Sequence, residues 1–334
     1  MSRLPAEAER ASGDEPPAAT GDPELWRIDV PASARGGLLS VGNFDGVHHG
    51  HRAILRELKR RAQLLGVPAV AVTFDPHPVA LLRPEFAPPL LTTHARRAEL
   101  LRIVGADEVV RLPVDRHLLA HTAEEFFERV LLSAFGAAGV VEGPDFRFGK
   151  DRSGDVAALR SWGRPHGWVV ATVEAVELDG APVSSSRIRS LISEGNLAAA
   201  NTLLGRPHRI EGVVVEGEAR GRTLGFPTAN LAALDVLPPT PGVYAGTAKI
   251  DGRFYSAAVH LGPRPTFDGA SPTAEVHLLD FAGDLYGRTL AVHLWKRIRG
   301  VRAFEGSDDL KKQIAADLSE VRRITAAASD DESG

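Results

Sequence analysis

The chain has 334 residues, a length that predicts two domains because a single domain usually holds about 100 to 200 residues. Its net charge of −4 gives no basic surface for a nucleic-acid backbone, and no apolar run is long enough to span a membrane, so neither partner is expected. The absence of cysteine excludes disulfides and thiol nucleophiles and, with no export signal at the N-terminus, predicts a cytoplasmic protein.

The first half of the chain alternates short apolar runs with helical patterns. Helix 52–65 carries apolar side chains on one face, and helix 122–135 does the same, with Thr122 as its N-cap. Strands that alternate with helices predict a parallel α/β sheet. The strand candidates are "LLSV" (38–41), "VAVTF" (70–74), "EVVRL" (108–112), "GVVEG" (139–143) and "WVVATV" (168–173).

The second half is rich in strands separated by Gly or Pro turns and contains one clear helix, 308–322. This pattern predicts a compact β-barrel closed by a terminal helix. The segment "LGRPHR" (204–209) is the predicted boundary, or seam, between the two domains. We therefore predict a disordered arm at 1–22, an α/β domain at 23–205, a barrel domain at 206–325 and a disordered tail at 326–334.

The stretch "GNFDGVHHGH" (42–51) follows the first strand and opens the first helix. Gly42 and Gly46 permit a tight turn, and a helix N-terminus attracts anions through its unpaired N–H groups. His48 and His51, three residues apart, are expected to project toward the same point and to donate hydrogen bonds to a triphosphate. Two other interpretations are capping or surface histidines and a zinc site, although a zinc site lacks an obvious carboxylate partner here.

Five motifs in order resemble the bacterial bifunctional riboflavin kinase/FMN adenylyltransferase family, also called FAD synthetases. They are "GNFDGVHHGH", "TFDPHP" (73–78), "LLTT" (90–93), "GPDFRFGK" (143–150) and "SSSRIR" (184–189). The resemblance implies an N-terminal Rossmann-like nucleotidyltransferase domain in which His48 and His51 stabilise the α-phosphate of ATP while the phosphate of FMN attacks it. The hydroxyls of Ser185 and Ser186 are expected to cap the following helix and hold phosphate.

The resemblance also implies which residues form each side of this site. Asp75 and Asp145 would line the flavin side of the pocket, where Phe146 and Phe148 offer aromatic faces. The two aromatic residues could equally be core residues, and Asp75 could be a plain turn former. The implied ATP-binding set is Gly42, Asn43, Phe44, Asp45, Gly46, His48, Gly50, His51, Ser185, Ser186, Arg187 and Arg189. The implied FMN-binding set is Asp75, His77, Pro78, Asp145 and Phe146.

The stretch "GEARGRTLGFPTANL" (217–231) predicts a second phosphate site, because its glycines give a loop whose N–H groups could wrap a phosphate. Thr228 and Asn230 present oxygens on one side of an extended segment, which suits Mg²⁺ together with ATP phosphates. Glu275, at the head of a strand, is the candidate base that accepts a hydroxyl proton, or else a solvated strand end.

This part of the chain resembles the riboflavin kinase module of the same family through "GRTLGFPTAN", "PGVYAG", "PTF" and "EVHLLDF". The resemblance implies a six-stranded barrel in which Glu275 is the general base on the ribityl hydroxyl, and the helix at 304–323 lies beside the flavin. His260 departs from the family, which commonly has Asn there. The implied ATP-binding set is Gly217, Gly221, Arg222, Gly225, Pro227, Thr228 and Asn230, with Thr228 and Asn230 holding Mg²⁺.

The expected function is therefore the ATP-dependent conversion of riboflavin to FMN and of FMN to FAD, with no covalent enzyme intermediate. One rival is a nucleotidyltransferase for another phosphorylated vitamin precursor. A second rival is a flavin-binding regulator that keeps only one active site.

Overall fold

The computed structural model describes residues 28–217, 221, 225–232, 234–262 and 274–331. The predicted arm at 1–22 lies outside them. They form a parallel sheet followed by a closed antiparallel barrel and a terminal helix, which confirms the predicted fold class. The prediction of a disordered tail from 326 is wrong as far as Asp331, because the helix Ser307–Asp331 continues through this alanine-rich segment.

The first half contains a five-stranded sheet, a two-stranded hairpin and eight α-helical segments in the described residues. The strands are β1 (Leu38–Gly42), β2 (Ala69–Asp75), β3 (Glu108–Pro113), β4 (Gly139–Glu142) and β5 (Val169–Thr172), with the hairpin β6 (Glu177–Leu178) and β7 (Ala181–Pro182). The helices are α1 (His49–Leu65), α2 (Pro78–Leu82), α3 (His94–Val104), α4 (Arg116–Ala120), α5 (Ala123–Glu125), α6 (Val156–Gly163), α7 (Ser185–Glu194) and α8 (Leu197–Leu204).

The strands of the sheet follow the order β3-β2-β1-β4-β5, which indicates where a ligand is expected to bind. All neighbours are parallel, and the connections from β1 and from β4 lead to opposite sides of the strand order. Ligands in such sheets bind outside the carboxyl ends of the strands where the order reverses, which here lies between β1 and β4. The histidine turn follows β1 directly at this switch point.

The two faces of the sheet are buried in two separate cores, because successive side chains of a strand point to opposite faces. Leu39 and Val41 pack with Phe127 on one face, whereas Leu38 packs with Leu55 of α1 on the other. Thr122 caps α5 in a capping box with Glu125, as predicted, but the chain then winds as a π-helix over Phe126–Ala134.

The second half is a closed barrel with strand order β10-β11-β12-β9-β8-β13. Its terminal helix, α9 (Ser307–Asp331), follows the last strand. The strands are β8 (His208–Val215), β9 (Ala229–Ala232), β10 (Gly242–Ile250), β11 (Arg253–Leu261), β12 (Ala274–Leu278) and β13 (Thr289–Arg299).

Helices α7 and α8 connect the two halves through one hydrophobic core. Ile188 of α7 and Leu203 of α8 are buried together with Ile210 and Leu294 of the barrel. Asn201 of α8 donates hydrogen bonds to the carbonyls of Leu294 (2.9 Å) and Trp295 (3.1 Å) on β13. Helices α7 and α8 therefore share an interior with the barrel, whereas the side chains of the sheet lie in the two other cores.

Candidate functional site

The turn between β1 and α1 has an unusual backbone. Gly46 has φ of +84°, and a Cβ there would lie 3.0 Å from Leu91 and 3.2 Å from Leu204, so a side chain would be both strained and crowded. Phe44 and Val47 have φ of 47° and 40°, values that strain residues with a side chain. The turn therefore keeps its shape only because its surroundings hold it.

His48 and His51 lie together at the start of α1, as their spacing predicts. Their rings stack with centroids 3.6 Å apart and an interplanar angle of 20°. His48 is the N-cap of the helix, and its Nδ1 accepts a hydrogen bond from the backbone N–H of His51 (3.4 Å). His48 therefore combines the predicted position with the capping role of the alternative interpretation.

The imidazole of His48 is neutral near pH 7. Burial, followed by the positive charge of Arg206, lowers its pKa from 6.5 to about 4. Burial likewise holds the pKa of His51 well below its usual range. Since Nδ1 of His48 accepts a hydrogen bond, its proton is on Nε2, which can donate to a ligand.

Helix α7 begins beside the start of α1. A Cβ on Gly50 would lie 3.5 Å from the carbonyl oxygen of Val183, just before α7. Ser185 Oγ donates to the carbonyl of Asp45 (2.8 Å), which attaches α7 to the histidine turn. The N-cap of α7 is Ser184, which accepts from the N–H of Arg187, so the expectation that Ser185 and Ser186 cap this helix is wrong.

Asp45 faces the protein interior rather than the open end of the sheet. Its carboxylate is 1% exposed, accepts the N–H groups of Leu91 (2.9 Å) and Thr92 (3.0 Å), and pairs with Arg97 (3.0 Å) and Arg189 (2.6 Å). Although burial raises its pKa, the two arginines and the two N–H groups together lower it. Any contact of Asp45 with ATP would therefore involve its main chain.

The two arginines of "SSSRIR" are also bonded within the protein. Arg187 donates to the carbonyls of Leu178 (2.9 Å) and Ala181 (3.0 Å) of the β6–β7 hairpin. Arg189 donates to the carbonyl of Pro89 (2.8 Å) in addition to Asp45. In this conformation the two side chains hold neighbouring segments against α7.

The predicted FMN-binding residues follow the two strands that flank β1. Asp75 ends β2 and pairs with His94 (3.0 Å) and Arg111 (3.1 Å). His77 caps α2 through Nδ1, which accepts the N–H of Val79 (3.2 Å), and Pro78 is the first residue of that helix.

The remaining predicted flavin residues follow β4, at the same edge of the sheet. Asp145 is exposed. Phe146 is half-buried and stacks on Phe148, with ring centroids 5.6 Å apart, while Phe148 is buried in the core. Of the two aromatic residues, Phe148 is therefore a core residue, and Phe146 lies at the margin of the core.

Asn43 Oδ1 and His51 Nδ1 are among the side-chain polar atoms that are buried without a hydrogen-bond partner in the described residues. Such atoms are costly unless a ligand or water satisfies them. Within the same part of the chain, no group of three or more His, Asp or Glu side chains could hold a metal ion. Among the described residues, the histidine pair therefore has no third protein ligand of the kind that a zinc site requires.

The second candidate site is a cleft of about 770 Å³ in the barrel. One side of it is lined by a row of cross-strand partners, one from each strand, and directly opposite partners project to the same face of a sheet. The row runs in the order Val215, Asn230, Glu275, His260, Val243 and Arg299, and all six residues line the cleft.

The segment that carries the predicted magnesium ligands adjoins this row. Thr228 and Asn230 both line the cleft. A Cβ on Gly217 would collide with the amide of Asn230, and one on Gly221 would lie 3.3 Å from Thr228 Oγ1, so the glycines permit close approach. Gly225 has φ of +90°, and the carbonyl of Pro227 accepts from His277 (2.8 Å). Arg222 lies outside the described residues.

His260 lies beside the predicted base of the barrel site. Its Nδ1 is 3.9 Å from Glu275 Oε2, and both side chains are partly exposed. Apolar side chains also line the cleft, namely Phe304 and, from α9, Leu310, Ile314 and Leu318, together with the charged Arg302 and Asp317. The terminal helix therefore forms part of the cleft.

Four residues that were not predicted as part of the first site help to shape it. Arg97 and Thr92 hold Asp45, and Arg206 contacts the histidine turn. Glu142 is buried at the end of β4, where it accepts the N–H of Val41 (2.6 Å), and burial raises its pKa well above the usual range. A sequence signal existed for Arg97, because it falls on the same helical face as the buried Leu100 and Leu101.

Comparisons with known proteins agree with this arrangement. Residues 30–187 match the FAD synthetase family model, and residues 204–325 match the riboflavin kinase family model. A bifunctional riboflavin kinase/FMN adenylyltransferase of Pseudomonas fluorescens is 41% identical over 87% of this chain and 94% of its own length. The protein of that name from Escherichia coli (strain K12) is 38% identical over 86% of this chain and 92% of its own length.

A solved structure described as a macrolide-efflux protein from Streptococcus pneumoniae superimposes with a TM-score of 0.80. It is 33% identical and covers 90% of this chain and 96% of its own. In the described part of this chain, no helix is both long enough and apolar enough to cross a membrane. From the two family matches, their order and the curated relatives, the chain belongs to the bifunctional riboflavin kinase/FMN adenylyltransferase family.

Proposed function

We propose that the barrel cleft phosphorylates riboflavin to FMN and that the histidine turn transfers the adenylyl group of ATP to FMN, giving FAD and pyrophosphate. The observation that supports the proposal most directly is that each matched domain has its own group of side chains suited to binding ATP phosphates and transferring a phosphoryl or adenylyl group. In one it is the stacked imidazole pair where α1 begins, and in the other it is the row of Asn230, Glu275 and His260.

In the adenylyl transfer, an oxygen of the FMN phosphate attacks the α-phosphorus of ATP, and the bond to the bridging β-phosphate oxygen breaks. Negative charge grows on the oxygens around the α-phosphorus as this happens. His48 donates its Nε2–H to one of these oxygens, and His51, stacked on it, lies within reach of the same phosphate. The unpaired N–H groups at the starts of α1 and α7 add positive potential there.

For the flavin side we propose Asp75, His77, Pro78, Asp145 and Phe146. They follow β2 and β4, whose carboxyl ends flank that of β1. Thr73, next to this set, donates to the carbonyl of Asn43 (3.2 Å), which joins the β2 end to the histidine turn. This edge of the sheet would hold the FMN phosphate close to the α-phosphate of ATP, as the reaction requires.

In the barrel, Glu275 is the proposed general base. It accepts the proton of the ribityl 5′-hydroxyl while that oxygen attacks the γ-phosphorus of ATP, and ADP leaves. The apolar side chains of α9 that line the cleft suit the flavin ring, and the glycine loop suits the phosphates.

The hydroxyl of Thr228 and the amide oxygen of Asn230 fit Mg²⁺. Both are neutral hard oxygens on residues that line the cleft. Gly217 lies close to Asn230 and Gly221 lies close to Thr228, at distances that leave little room for a Cβ atom. Bound Mg²⁺ would neutralise charge on the ATP phosphates. Thr228 and Asn230 would orient the nucleotide through it.

We propose that the adenylyltransferase domain comprises residues 23–205 and the kinase domain residues 206–325. The absence of cysteine suits a reducing cytoplasm, which is the location we propose for both reactions.

The direct test is to incubate the pure protein with riboflavin, ATP and Mg²⁺ and to separate the flavins by chromatography over time. FMN should appear first and FAD second. His48→Ala should lower FMN adenylylation about 100-fold and leave riboflavin phosphorylation intact. Glu275→Gln should lower phosphorylation about 100-fold or more and leave the adenylylation of supplied FMN intact.

His49→Ala is the matched control, because His49 lies on the same turn and faces Gly205 of the linker. It should retain both activities. If the wild-type protein formed only one of the two products, the regulator with a single active site would be the correct interpretation.

A further inference from the structure

Arg206 is the first residue of the proposed kinase domain, within the riboflavin kinase match, and is directed into the preceding domain. It follows Gly205, where α8 ends, and precedes the first barrel strand. This position is outside the FAD synthetase match, which ends at residue 187. Its guanidinium nevertheless reaches the turn that carries His48.

Arg206 donates a hydrogen bond to the carbonyl of Leu204 (3.3 Å), and its other hydrogen bonds are to the two peptide groups on either side of Val47. One guanidinium nitrogen donates to the carbonyl of Gly46 (2.5 Å), and the other donates to the carbonyl of Val47 (3.2 Å). The orientations of these two peptide planes define φ and ψ of Val47. A single planar side chain therefore fixes the backbone of the residue that precedes His48.

Val47 needs such support because it is a β-branched residue with φ of 40°. Residues of this type rarely adopt positive φ, and the conformation persists only where surrounding contacts enforce it. The same turn is supported on another side by Leu204, which packs against Gly46. If these supports were removed, we expect Val47 to relax and the His48 ring to move.

The position of Arg206 is itself fixed by the barrel. Asn201 accepts the N–H of His208 (2.8 Å) and donates to the β13 carbonyls, so the linker is held between α8 and β13. Burial, together with the nearby charges of Arg96 and Arg52, lowers the pKa of Arg206 to about 10. The fold therefore keeps a cation in an unfavourable environment, and its hydrogen bonds there are to main-chain carbonyls.

We propose that Arg206 is a positioning residue for adenylyl transfer, and that through its hydrogen bonds to Gly46 and Val47 it sets the orientation of the His48 imidazole. This inference rests on the proposed role of the histidine turn. It predicts that Arg206, at the start of the barrel domain, controls the rate of FMN adenylylation in the preceding domain and does not control the rate of riboflavin phosphorylation in the barrel.

The test uses the full-length protein with Arg206→Ala, Arg206→Lys and, as matched control, Arg209→Ala. Arg209 pairs with Glu211 on its own strand (2.5 Å). For Arg206→Ala we expect kcat of FMN adenylylation to fall about 10- to 100-fold, because a small misplacement of a catalytic group costs rates of that size. KM for FMN and the rate of riboflavin phosphorylation should stay within about 2-fold, since neither depends on His48.

Arg206→Lys keeps the charge but cannot reach both carbonyls with a rigid fork, so we expect an intermediate loss of about 10-fold. Arg209→Ala should retain both activities. The proposal is overturned if folded Arg206→Ala adenylylates FMN at the wild-type rate, or if both activities of that variant fall in parallel. If Arg206→Ala does not fold, a wild-type adenylylation rate in Arg206→Lys overturns it. A wild-type protein that formed no FAD would instead refute the proposed function.

Discussion

The protonation state of His48 decides what this side chain can do in the adenylyltransferase site. A protonated pair of imidazoles would repel at a centroid distance of 3.6 Å, whereas two neutral rings can stack. Burial excludes the charged form, and the charge of Arg206 opposes it further. His48 therefore acts as a fixed hydrogen-bond donor and is not poised to exchange protons near neutral pH.

We predict that the His48 signal in an NMR titration of the free protein does not move between pH 8 and about 5.5. Its pKa of about 4 is depressed from 6.5, so the unfolded chain takes up this proton before the folded one does. The contribution of His48 to stability is therefore complete above about pH 6.5 and declines as the pH falls toward 4. A midpoint near 6.5 in the folded protein would contradict this account.

Contacts between residues close in the chain were predictable from the sequence, whereas contacts between distant residues were not. The spacing of His48 and His51 was sufficient to predict that they meet, because both belong to one helix start. The buried position of the Asp45 carboxylate was not predictable from "GNFDG". It depends on Arg97 and Arg189, which follow Asp45 by 52 and 144 positions in the chain. Arg97 could have been recognised from its position on an apolar helix face, but its partner could not.

At the level of elements, the Asp45 carboxylate joins the histidine turn to α3 and α7. It does so through Arg97 and Arg189, and also holds the segment at Leu91 and Thr92 that precedes α3. The turn, both helices and this segment therefore depend on one buried charge. Removing one member of such a group leaves the others charged, buried and unpaired.

Asp45→Asn should lower the free energy of unfolding by about 3–5 kcal/mol, because Asn matches the shape but not the charge. Denaturant unfolding at neutral pH measures the change. The matched control is Asp280→Asn, which breaks an exposed pair with Arg322 (2.9 Å) and should change stability little. Equal effects of the two substitutions would refute the role of Asp45.

Elements with strong periodicity were predictable, and short ones were not. The three central strands of the sheet, β1, β2 and β4, are apolar runs that their neighbours bury on both faces, so composition alone indicates them. Strand β9 (Ala229–Ala232) lies inside the predicted glycine loop, and only pairing with β8 and β12 makes it a strand. The hairpin β6–β7 has two residues per strand and carries no periodic signal, and Arg187 bonds to its carbonyls.

For the whole molecule, the sequence predicted two domains and their order, but not how far the first site depends on the second domain. The buried side chains of α7 and α8 form one core with the barrel, and Arg206 extends from this seam to the histidine turn. A linker motif such as "LGRPHR" identifies a boundary, yet nothing in its composition indicates which neighbouring turn its arginine contacts.

The central claim is that two separate sites each carry one step, with FMN passing between them. The most direct measurement mixes the His48→Ala and Glu275→Gln proteins with riboflavin, ATP and Mg²⁺ and follows FAD by chromatography. Each variant alone should make little FAD from riboflavin, whereas the mixture should make it readily, because one protein supplies FMN and the other adenylylates it. A mixture that forms no more FAD than the separate variants, although each retains its own half-reaction, would contradict the account.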